Sequence, residues 1–531
     1  MSASRTVREA VFDVMRGFGL TTIFGNPGST EIPFLTGLPP DIHFVLGLHE
    51  GSVVGMATGW AMARGEPAFV NLHTAPGLGN AVNAIANARD MRVPLVIVVG
   101  QQDRRQLAYE PFLTGRALER LAGEYPVWSS LPVRAQDVPG AIARAYHEAV
   151  SGRGPALVVV PMGDWMEPAD EYAAGWPEQT VRTSTVAPAE VGELAEMIDR
   201  AQAPALVVGR GGQGRECWES VVGLAERLRC PVWQESFARA AAFPQDHPQF
   251  AGHLPWRRRL VRETLAAHDL VVAVGTNAFR LYLLDDDGPM VSEGTRVAVL
   301  TDDPAEAYRS PCALAVIAPI EPACAALVEQ VAERDTEPPP PLRRPPAPAP
   351  PGPEEPLTPG HVYAALAERL PPRAVIVEET PSSQPELYAR IPVQTPGGFV
   401  AGGNGGLGFG LAGSVGLRMG DPQRPVIGIV GDGSSMYAIQ ALWSAAHYEV
   451  GVLLVVMANG SYAVMDGLAR AANACAAWPA FGSIDIAGMA RCLGCPAVNI
   501  TTHEQLIACF DDVLPGLGER REPLLVEVAL A

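Results

Sequence analysis

The stretch VIGIVGDGSS, residues 426–435, is a run of β-forming apolar residues that ends in the polar turn Gly-Asp-Gly. A second run, VLLVVMANGS at residues 452–461, ends in Ala-Asn-Gly, and 24 residues lie between Gly433 and Ala458. Two buried strands at this spacing indicate a parallel α/β sheet, whose strand ends meet at one edge. Asp432 at one strand end and an asparagine at the other can therefore offer oxygen ligands to a hard cation such as Mg²⁺.

The glycines beside this aspartate point to a phosphate group at the same edge. Gly431 and Gly433 let backbone N–H groups face an anion, and the helix predicted to start near Ser434 directs its positive end toward it. A solvated strand-end turn would explain Gly-Asp-Gly alone. It does not explain the matched pair of strand ends, so the pattern favours a metal–diphosphate site.

The N-terminal third repeats the alternation of short strands and helices. Its predicted strands are Thr21–Phe24, His43–Leu46, Ala68–Asn71, Leu95–Val99 and Ala156–Val160. The unusual residues follow three of these strands, in the loops GNPGSTE (25–31), HEGS (49–52) and HTAPGLGN (73–80). Ligands of open α/β sheets bind at the carboxyl ends of strands, so these loops are predicted to share one crevice.

A proline-rich segment divides the rest of the chain. Residues 335–356 contain 11 prolines in 22 positions, a composition typical of a semi-rigid extended linker. Before it, a second α/β block has predicted strands at Ala205–Val208, Leu270–Val274 and Arg296–Leu300. We predict an α/β protein of three doubly wound parallel-sheet domains, at residues 1–180, 188–334 and 357–531, with the linker at 335–356.

Composition excludes several functions. Acidic residues outnumber basic ones 58 to 39, for a net charge of −19, and no basic run could neutralise a string of phosphates, which argues against nucleic acid as a partner. The chain contains no lysine. A Schiff base with pyridoxal phosphate and a Walker-A phosphate loop are therefore excluded, and a carbanion would need another electron sink.

Cysteines and apolar runs indicate an intracellular soluble protein. The eight cysteines include a single CxxC, Cys492 and Cys495, which favours buried small side chains over a zinc site or disulfide framework. The N-terminus lacks an apolar signal segment, and no apolar run approaches the ~20 residues that span a bilayer. We expect no membrane partner and a cytoplasmic location.

These motifs together resemble those of the thiamine diphosphate enzymes. The signature is GDGS followed by ANGS, and the match extends through GNPGSTE, LHEGSVVGMATGWA, NLHTAPGLGN and GGLGFGLAGSVG over essentially the whole chain. Within that superfamily the sequence is most similar to the 2-oxo acid decarboxylases of the benzoylformate decarboxylase type. The resemblance implies the domain order of that family. The first domain binds the cofactor's pyrimidine, the second is the middle domain and the third binds the diphosphate.

The resemblance implies a cofactor and a metal. Asp432, Asn459 and the carbonyl of Ser461 are expected to hold Mg²⁺, for which Ca²⁺ can substitute. Ala458 stands where the family usually has an asparagine that does not bind metal, so altered loop support is expected rather than loss of the ion. The residues expected to contact thiamine diphosphate are Asn26, Asn80, Thr380, Ser382, Gly405, Leu407, Gly431, Gly433, Ser434, Tyr437 and Tyr462.

Three polar residues of the N-terminal loops are implied to be catalytic. Glu50 would lie beside the pyrimidine ring and favour its imino form, which takes the proton from the thiazolium; by position alone it could equally be an acid that stabilises a helix N-terminus. Ser29 is expected to contact the substrate carboxylate. His73 is expected to move protons on and off the covalent adducts, a task that suits a pKa near neutrality.

Three positions depart from the benzoylformate decarboxylase pattern. Tyr282, after Phe279 and Arg280, stands where those enzymes have a further active-site histidine, and we include it among the catalytic candidates. Two pocket aromatic residues are replaced by Ala401 and Leu468. These departures bear on the substrate more than on the cofactor.

The middle domain contains GRGGQG at residues 209–214, after a predicted strand, with Glu235 about 20 residues further on. This pattern has the form of a dinucleotide fingerprint, but GxGxxG alone is a weak signal. In related superfamily members this region holds a flavin or ADP, whereas the benzoylformate decarboxylase type leaves it vacant. The vacant site is the favoured interpretation.

The sequence therefore predicts non-oxidative decarboxylation of a 2-oxo acid with an aryl or bulky side chain to an aldehyde and CO2. A thiamine diphosphate-dependent carboligase or lyase, of the acyloin or acetolactate type, remains an alternative, as does a degenerate paralogue that only binds the cofactor. The family arrangement implies a homodimer or homotetramer with active sites between subunits.

Overall fold

The computed structural model describes residues 5–170, 176–177, 180–181, 183, 185–352 and 355–531. It confirms the predicted fold class, because the strands form three separate six-stranded sheets in which all strand pairs are parallel. The three domain ranges stay predictions. The linker's described residues, 335–352 and 355–356, form neither helix nor strand, and residues 353–354 lie outside the description.

The first sheet has the order β2-β1-β3-β4-β6-β5. Its strands are β1 (Thr22–Gly25), β2 (His43–Leu46), β3 (Ala68–Leu72), β4 (Leu95–Gln101), β5 (Trp128–Ser130) and β6 (Pro155–Pro161). All five predicted strands are present within one or two residues of their predicted bounds. The three candidate loops follow β1, β2 and β3, so they lie side by side at the carboxyl edge of this sheet.

The second sheet has the order β12-β11-β10-β7-β8-β9. Its strands are β7 (Pro204–Val208), β8 (Val232–Gln234), β9 (Phe250–His253), β10 (Leu270–Val274), β11 (Arg296–Thr301) and β12 (Leu314–Ile317). The three predicted strands form its centre. The strands that the sequence analysis did not predict are short and lie toward the edges, where apolar runs are weak.

The third sheet has the order β14-β13-β15-β16-β18-β17. Its strands are β13 (Val375–Glu379), β14 (Phe399–Ala401), β15 (Val426–Gly431), β16 (Leu453–Ala458), β17 (Ala497–Ile500) and β18 (Leu524–Ala529). The two runs that open the sequence analysis are β15 and β16, which pair in register from Ile427 with Leu453 to Gly431 with Met457. Asp432 and Asn459 therefore follow neighbouring strands.

Helices cover the sheets. In chain order they are α1 (Val7–Gly17), α2 (Ile32–Leu35), α3 (Glu50–Arg64), α4 (Thr74–Asp90), α5 (Leu118–Leu121), α6 (Val138–Gly152), α7 (Gly192–Arg200), α8 (Arg215–Leu228), α9 (Arg258–Leu265), α10 (Pro304–Tyr308), α11 (Ile320–Gln330), α12 (Pro359–Ala367), α13 (Gln384–Arg390), α14 (Phe409–Gly420), α15 (Asp432–Ser435), α16 (Ala441–His447), α17 (Ala463–Ala471), α18 (Ile486–Cys492) and α19 (His503–Val513). In the described part of the chain, none of these helices has the length and apolar character needed to cross a bilayer.

The closest contact between helices joins the first and third domains. Along α3 and α14, Gly55 faces Ala412 and Gly59 faces Gly413, so the two helices run in the same direction. A Cβ atom built on Gly59 would lie 2.1 Å from the carbonyl oxygen of Gly413. The two backbones touch, which only glycine permits at this position.

We predict that Gly59→Ala destabilises the protein although alanine is the better helix former. The added methyl group must push α3 and α14 apart, at a cost of about 2 kcal/mol, within the usual range for overpacking. Gly140→Ala in α6 is the matched control, because no atom lies within 4 Å of its built Cβ. The control should leave the melting temperature unchanged or raise it. Equal melting temperatures for the two variants would contradict the close-contact interpretation.

Candidate active site

Glu50 is a buried carboxylate at the first position of α3. Its Oε1 accepts a hydrogen bond from Asn26 Nδ2 at 3.1 Å, and its Oε2 accepts one from Asn80 Nδ2 at 3.0 Å. In the described part of the chain it forms no ion pair with a basic side chain. Two neutral amides thus hold a carboxylate in place and leave it free to exchange a proton with a bound group.

His73 lies at the end of β3, just before α4, and its ring is oriented by a buried acid that the sequence analysis missed. Its Nδ1 lies 2.9 Å from Oε2 of Glu31, which also accepts from the backbone N–H of Gly28 at 2.9 Å. The Thr30 hydroxyl lies 3.0 Å from the same Nδ1. An ionised carboxylate can only accept, so Nδ1 carries the proton and Nε2 of the neutral ring is left as the basic nitrogen.

Glu31 could have been found in the sequence. It is the last residue of GNPGSTE, a loop already singled out, and only 1% of its side chain is exposed. Ser29 lies two residues earlier in the same turn and is exposed. The structure therefore places Ser29 and His73 in adjoining loops, as the order of the strands requires.

Asp432 follows β15 and is buried at the strand end. Oδ1 accepts from the backbone N–H of Gly433 at 2.7 Å, and Oδ2 accepts from that of Gly460 at 2.6 Å. Burial raises the pKa of Asp432 above its ordinary value, because it outweighs these N–H donors. The Oδ1 of Asn459 accepts from the N–H of Ser461 at 3.2 Å. Asp432 has no ion pair within the described residues.

A cavity of about 280 Å³ opens beside this carboxylate. Its lining comprises Asp432, Ala458, Asn459, Gly460, Phe481, Gly482, Ile484, Ile486, Glu527 and Ala529. A buried negative charge without a counter-ion, beside amide and carbonyl oxygens, is a donor set that suits a hard cation with a diphosphate. The residues present thus fit the metal and the cofactor that the motifs imply.

Residues 402–408, here called the glycine-rich loop, are held by the side chains of α4. Asn83 Nδ2 donates to the carbonyl of Leu407 at 2.9 Å. Asn87 Nδ2 donates to the carbonyl of Gly406 at 3.0 Å, and its Oδ1 accepts from the N–H of Asn404. The helix that supplies Asn80 to Glu50 therefore also fixes the loop that contains Gly405 and Leu407.

Glu379 supports the same loop from below, and the sequence analysis missed it. Its carboxylate accepts three backbone hydrogen bonds at 2.8 Å, from Gly408, Phe409 and Gly410 at the start of α14. Burial raises the pKa of Glu379 to about 7, although the three donors favour its charged form. The signal in the sequence was a pair of acids at the end of an apolar strand, residues 375–379.

The other predicted cofactor contacts are distributed around this edge. Thr380 is buried and its hydroxyl donates to Glu378 at 2.9 Å. Ser382 is exposed, whereas its neighbour Ser383 is buried and shares a hydrogen bond with Tyr363. Ser434 is buried, and Tyr437 and Tyr462 are exposed. Two tyrosine side chains, Tyr437 and Tyr462, thus face solvent in the single chain.

Tyr282 lies on the segment between β10 and β11 and is 56% exposed. Its ring packs edge-on against Phe237 and Trp256, with centroids 5.9 and 5.8 Å away. Ala401 is buried at the end of β14, and Leu468 on α17 is partly exposed. In the described chain no hydrogen bond or ion pair joins the Glu50 group to the Asp432 group, which belong to different sheets.

The fingerprint of the middle domain is filled by the protein's own groups. Glu235 accepts from the N–H of Arg210 at 3.3 Å and from the Thr276 hydroxyl at 2.6 Å. The acid that would bind a ribose is buried, and each of its oxygens already accepts a hydrogen bond from the protein. The vacant site stays the favoured prediction.

Three family models match the chain. They are the thiamine pyrophosphate enzyme N-terminal TPP binding domain at residues 5–119, the central domain at 191–327 and the C-terminal TPP binding domain at 382–528. The three matches fall on the three sheets in order and cover all their strands except β5, β6, β13 and the last residue of β18.

Individual proteins are similar over the whole length. Benzoylformate decarboxylase of Pseudomonas aeruginosa is 38% identical, with 99% of this chain and 98% of that protein covered. The thiamine diphosphate-dependent 4-hydroxybenzoylformate decarboxylase of Rhodococcus jostii RHA1 has a TM-score of 0.93 at 34% identity. The benzoylformate decarboxylase of Polynucleobacter necessarius has a TM-score of 0.93 at 31% identity. Each of these two structural matches covers 99% of this chain and 99% of the solved chain. The chain thus belongs to the thiamine diphosphate enzymes, and the predicted similarity to benzoylformate decarboxylase is confirmed.

We predict that Glu31→Gln lowers kcat by at least about 10-fold, because a glutamine amide can donate to Nδ1 and shift the ring proton to Nε2. Nδ1 would then be the basic nitrogen of His73, and it faces residue 31 instead of the substrate. Thr30→Val is the matched control, since it keeps the carboxylate beside the ring. Steady-state kinetics of both variants, with cofactor affinity measured separately, checks this; full turnover in Glu31→Gln would contradict the assigned tautomer.

Proposed function

We propose that this thiamine diphosphate-dependent carboxy-lyase converts a 2-oxo acid with an aryl or similarly bulky side chain to an aldehyde and CO2, with Mg²⁺ bound beside the cofactor. The observation that carries the proposal is the buried Glu50 carboxylate, which two neutral amides hold and which has no basic partner among the described residues. Full-length similarity to aryl 2-oxo acid decarboxylases supports the substrate class.

The cofactor would be held by residues of the first and the third domain. Thiamine diphosphate, when bound, supplies an electron sink for the carbanion that decarboxylation produces. Glu50 would exchange a proton with the pyrimidine ring nitrogen, and Asn80 and Asn26 keep its carboxylate oriented. The carbonyl of Gly405 would accept a hydrogen bond from the aminopyrimidine, and Leu407 would support the cofactor from the same loop.

The metal would be held at the end of β15 and β16. Asp432 supplies the one carboxylate, and Asn459 with the carbonyl of Ser461 completes the set of protein ligands. A small, oxygen-only set with one carboxylate suits Mg²⁺, which keeps water and phosphate oxygens in its shell. Backbone N–H groups of Gly431 and Gly433 would face the diphosphate.

Three residues would act on the substrate. Ser29 donates to its carboxylate. His73, with its Nδ1 proton fixed by Glu31, exchanges protons through Nε2. Tyr282 offers a phenol, which donates a hydrogen bond at neutral pH but is a poorer general acid than an imidazolium. A slow final proton transfer would favour reaction with a second carbonyl, which is the specific argument for carboligation as a second activity.

We also propose that the active site is shared between two copies of the chain. Aromatic side chains in contact with a cofactor would need cover. Seven predicted site residues are exposed in the single chain, three of them aromatic: Ser29, Asn80, Tyr282, Ser382, Gly405, Tyr437 and Tyr462. A second copy that brings its Glu50 to this face would complete the site.

The test of the function is a panel of 2-oxo acids, aryl and aliphatic, assayed for CO2 release with thiamine diphosphate and Mg²⁺. Aldehyde and acyloin products are quantified in the same reactions. Release from aryl substrates with aldehyde as the main product supports decarboxylation. Product formed only with an acceptor aldehyde supports the carboligase, and no turnover supports a degenerate paralogue.

We predict that Glu50→Gln lowers kcat by about 10²-fold or more and leaves the cofactor bound, because a neutral amide cannot take the ring proton. Exchange of the cofactor's C2 proton for deuterium reports the same step without substrate. Glu504→Gln, a first-turn acid of α19, is the matched control for a role in helix stability alone. Exchange as fast as in the parent protein would show that Glu50 has no such role.

We predict that Asp432→Ala abolishes Mg²⁺-dependent retention of thiamine diphosphate, because the proposed set of metal ligands loses its only carboxylate. Equilibrium dialysis with and without Mg²⁺ measures this, with the exposed Asp512→Ala as control. Unchanged retention would overturn the metal assignment. Mixing Asp432→Ala with Glu50→Gln under subunit exchange should restore part of the activity if the site is shared, and none if each chain acts alone.

A further inference from the structure

Arg280 lies at the junction of the three domains and binds carbonyl groups instead of acids. Its Nη1 donates to the carbonyl of Phe237 at 2.9 Å, and its Nη2 donates to the carbonyl of Gly403 at 2.9 Å. It forms no ion pair with any described residue, and burial lowers its pKa from the usual range. A guanidinium held only by two carbonyls carries strong, directional hydrogen bonds to both.

One of these carbonyls belongs to the glycine-rich loop. Gly403 is packed so tightly on α4 that a built Cβ would lie 2.6 Å from Cβ of Asp90 and 2.9 Å from the carbonyl oxygen of Asn87. Arg280 and α4 therefore hold the loop from two sides. The loop has little freedom to shift while both contacts remain.

The other carbonyl belongs to the segment that packs against Tyr282. Phe237 has a φ of 50° and Ala278 a φ of 60°, conformations that are costly for residues other than glycine. The Phe237 ring contacts Tyr282 and Trp256, and the Tyr282 N–H donates to the carbonyl of Trp256 at 3.3 Å. The strained backbone on both sides of Arg280 is thus tied to the aromatic group that includes Tyr282.

The same middle-domain segment also joins the edge of the third sheet. Ala240 forms an antiparallel bridge with Val400 of β14, and the Ala401 N–H donates to the carbonyl of Arg239 at 3.0 Å. β14 leads directly into the glycine-rich loop. The middle domain therefore contacts this loop through a strand edge and through the Arg280 side chain.

We propose that Arg280 is a positioning residue that fixes the segment containing Tyr282 relative to the glycine-rich loop. The role of those two partners in catalysis rests on the proposed function. Arg280 acts through the carbonyl of Gly403, which sets Gly405 and Leu407, and through the carbonyl of Phe237, which sets the Tyr282 ring. A displacement of about 1 Å between such groups can reduce the rate by ~10²-fold.

The test compares Arg280→Lys with Arg344→Lys. Arg344 is the matched control, because it is also half-buried and donates only to carbonyls, those of Tyr388, Ala389 and Gln245, away from the loop. A lysine ammonium cannot span two carbonyls in the planar geometry of a guanidinium. Hydrogen–deuterium exchange of the cofactor-free proteins is measured first, since it needs no turnover. Cofactor affinity, kcat and the aldehyde-to-acyloin ratio follow.

Arg280→Lys should raise exchange in residues 402–408 and 278–282, weaken cofactor binding, lower kcat by ~10-fold or more and change the product ratio. Arg344→Lys should change the melting temperature alone. In Arg280→Ala, added guanidinium ion should restore part of kcat. Faster loop exchange with unchanged cofactor affinity and kcat would overturn the proposal, because it would show a purely structural role. Unchanged exchange in Arg280→Lys would also overturn it, because the side chain would then not hold the loop. If the parent protein proves inactive, the proposed function fails, and exchange with cofactor affinity still decides the role of Arg280.

Discussion

The parallel contact between α3 and α14 is the constraint on which the arrangement of the first and third domains depends. The two helices touch backbone to backbone, with Gly59 against the carbonyl of Gly413. Because they run in the same direction, both begin on the side where the strands of their sheets end. Glu50 opens the first helix, and the glycine-rich loop leads into the second. The spacing between these two starts is set by helices that cannot be separated without cost.

Neutral donors stabilise the acids near this contact. Glu50 is held by two asparagine amides, Glu379 by three backbone N–H groups, and Glu31 by a backbone N–H with Thr30 and His73. None of them is neutralised by arginine among the described residues. Buried acids satisfied in this way stay fixed in position while keeping their capacity to exchange protons. Arginine is used instead between domains, where Arg280 ties backbone carbonyls together.

Much of the fold could be predicted from the sequence. The central strands of each sheet are long apolar runs, and the polar residues that end them share an edge because parallel strands end together. This regularity located Asp432, Asn459, Glu50 and His73. Eight strands were not predicted, namely β5, β8, β9, β12, β13, β14, β17 and β18. Most of them are short, and five lie at sheet edges, where neither length nor strong hydrophobicity is needed.

The sequence by itself determined which residues end the strands, and with them the family, the fold class and the candidates for cofactor and metal. Only the tertiary structure decided which groups hold those candidates. These supporting contacts join residues that are far apart in sequence. The separations run from 29 positions, between Glu379 and Gly408, to 319 positions, between Asn87 and Gly406, and the contacts of Glu31 with His73 and of Arg280 with its two carbonyls fall between. Strand-end chemistry is a local pattern that a sequence displays. Support of a loop by a distant amide or guanidinium depends on how sheets and helices pack, and no spacing along the chain encodes it.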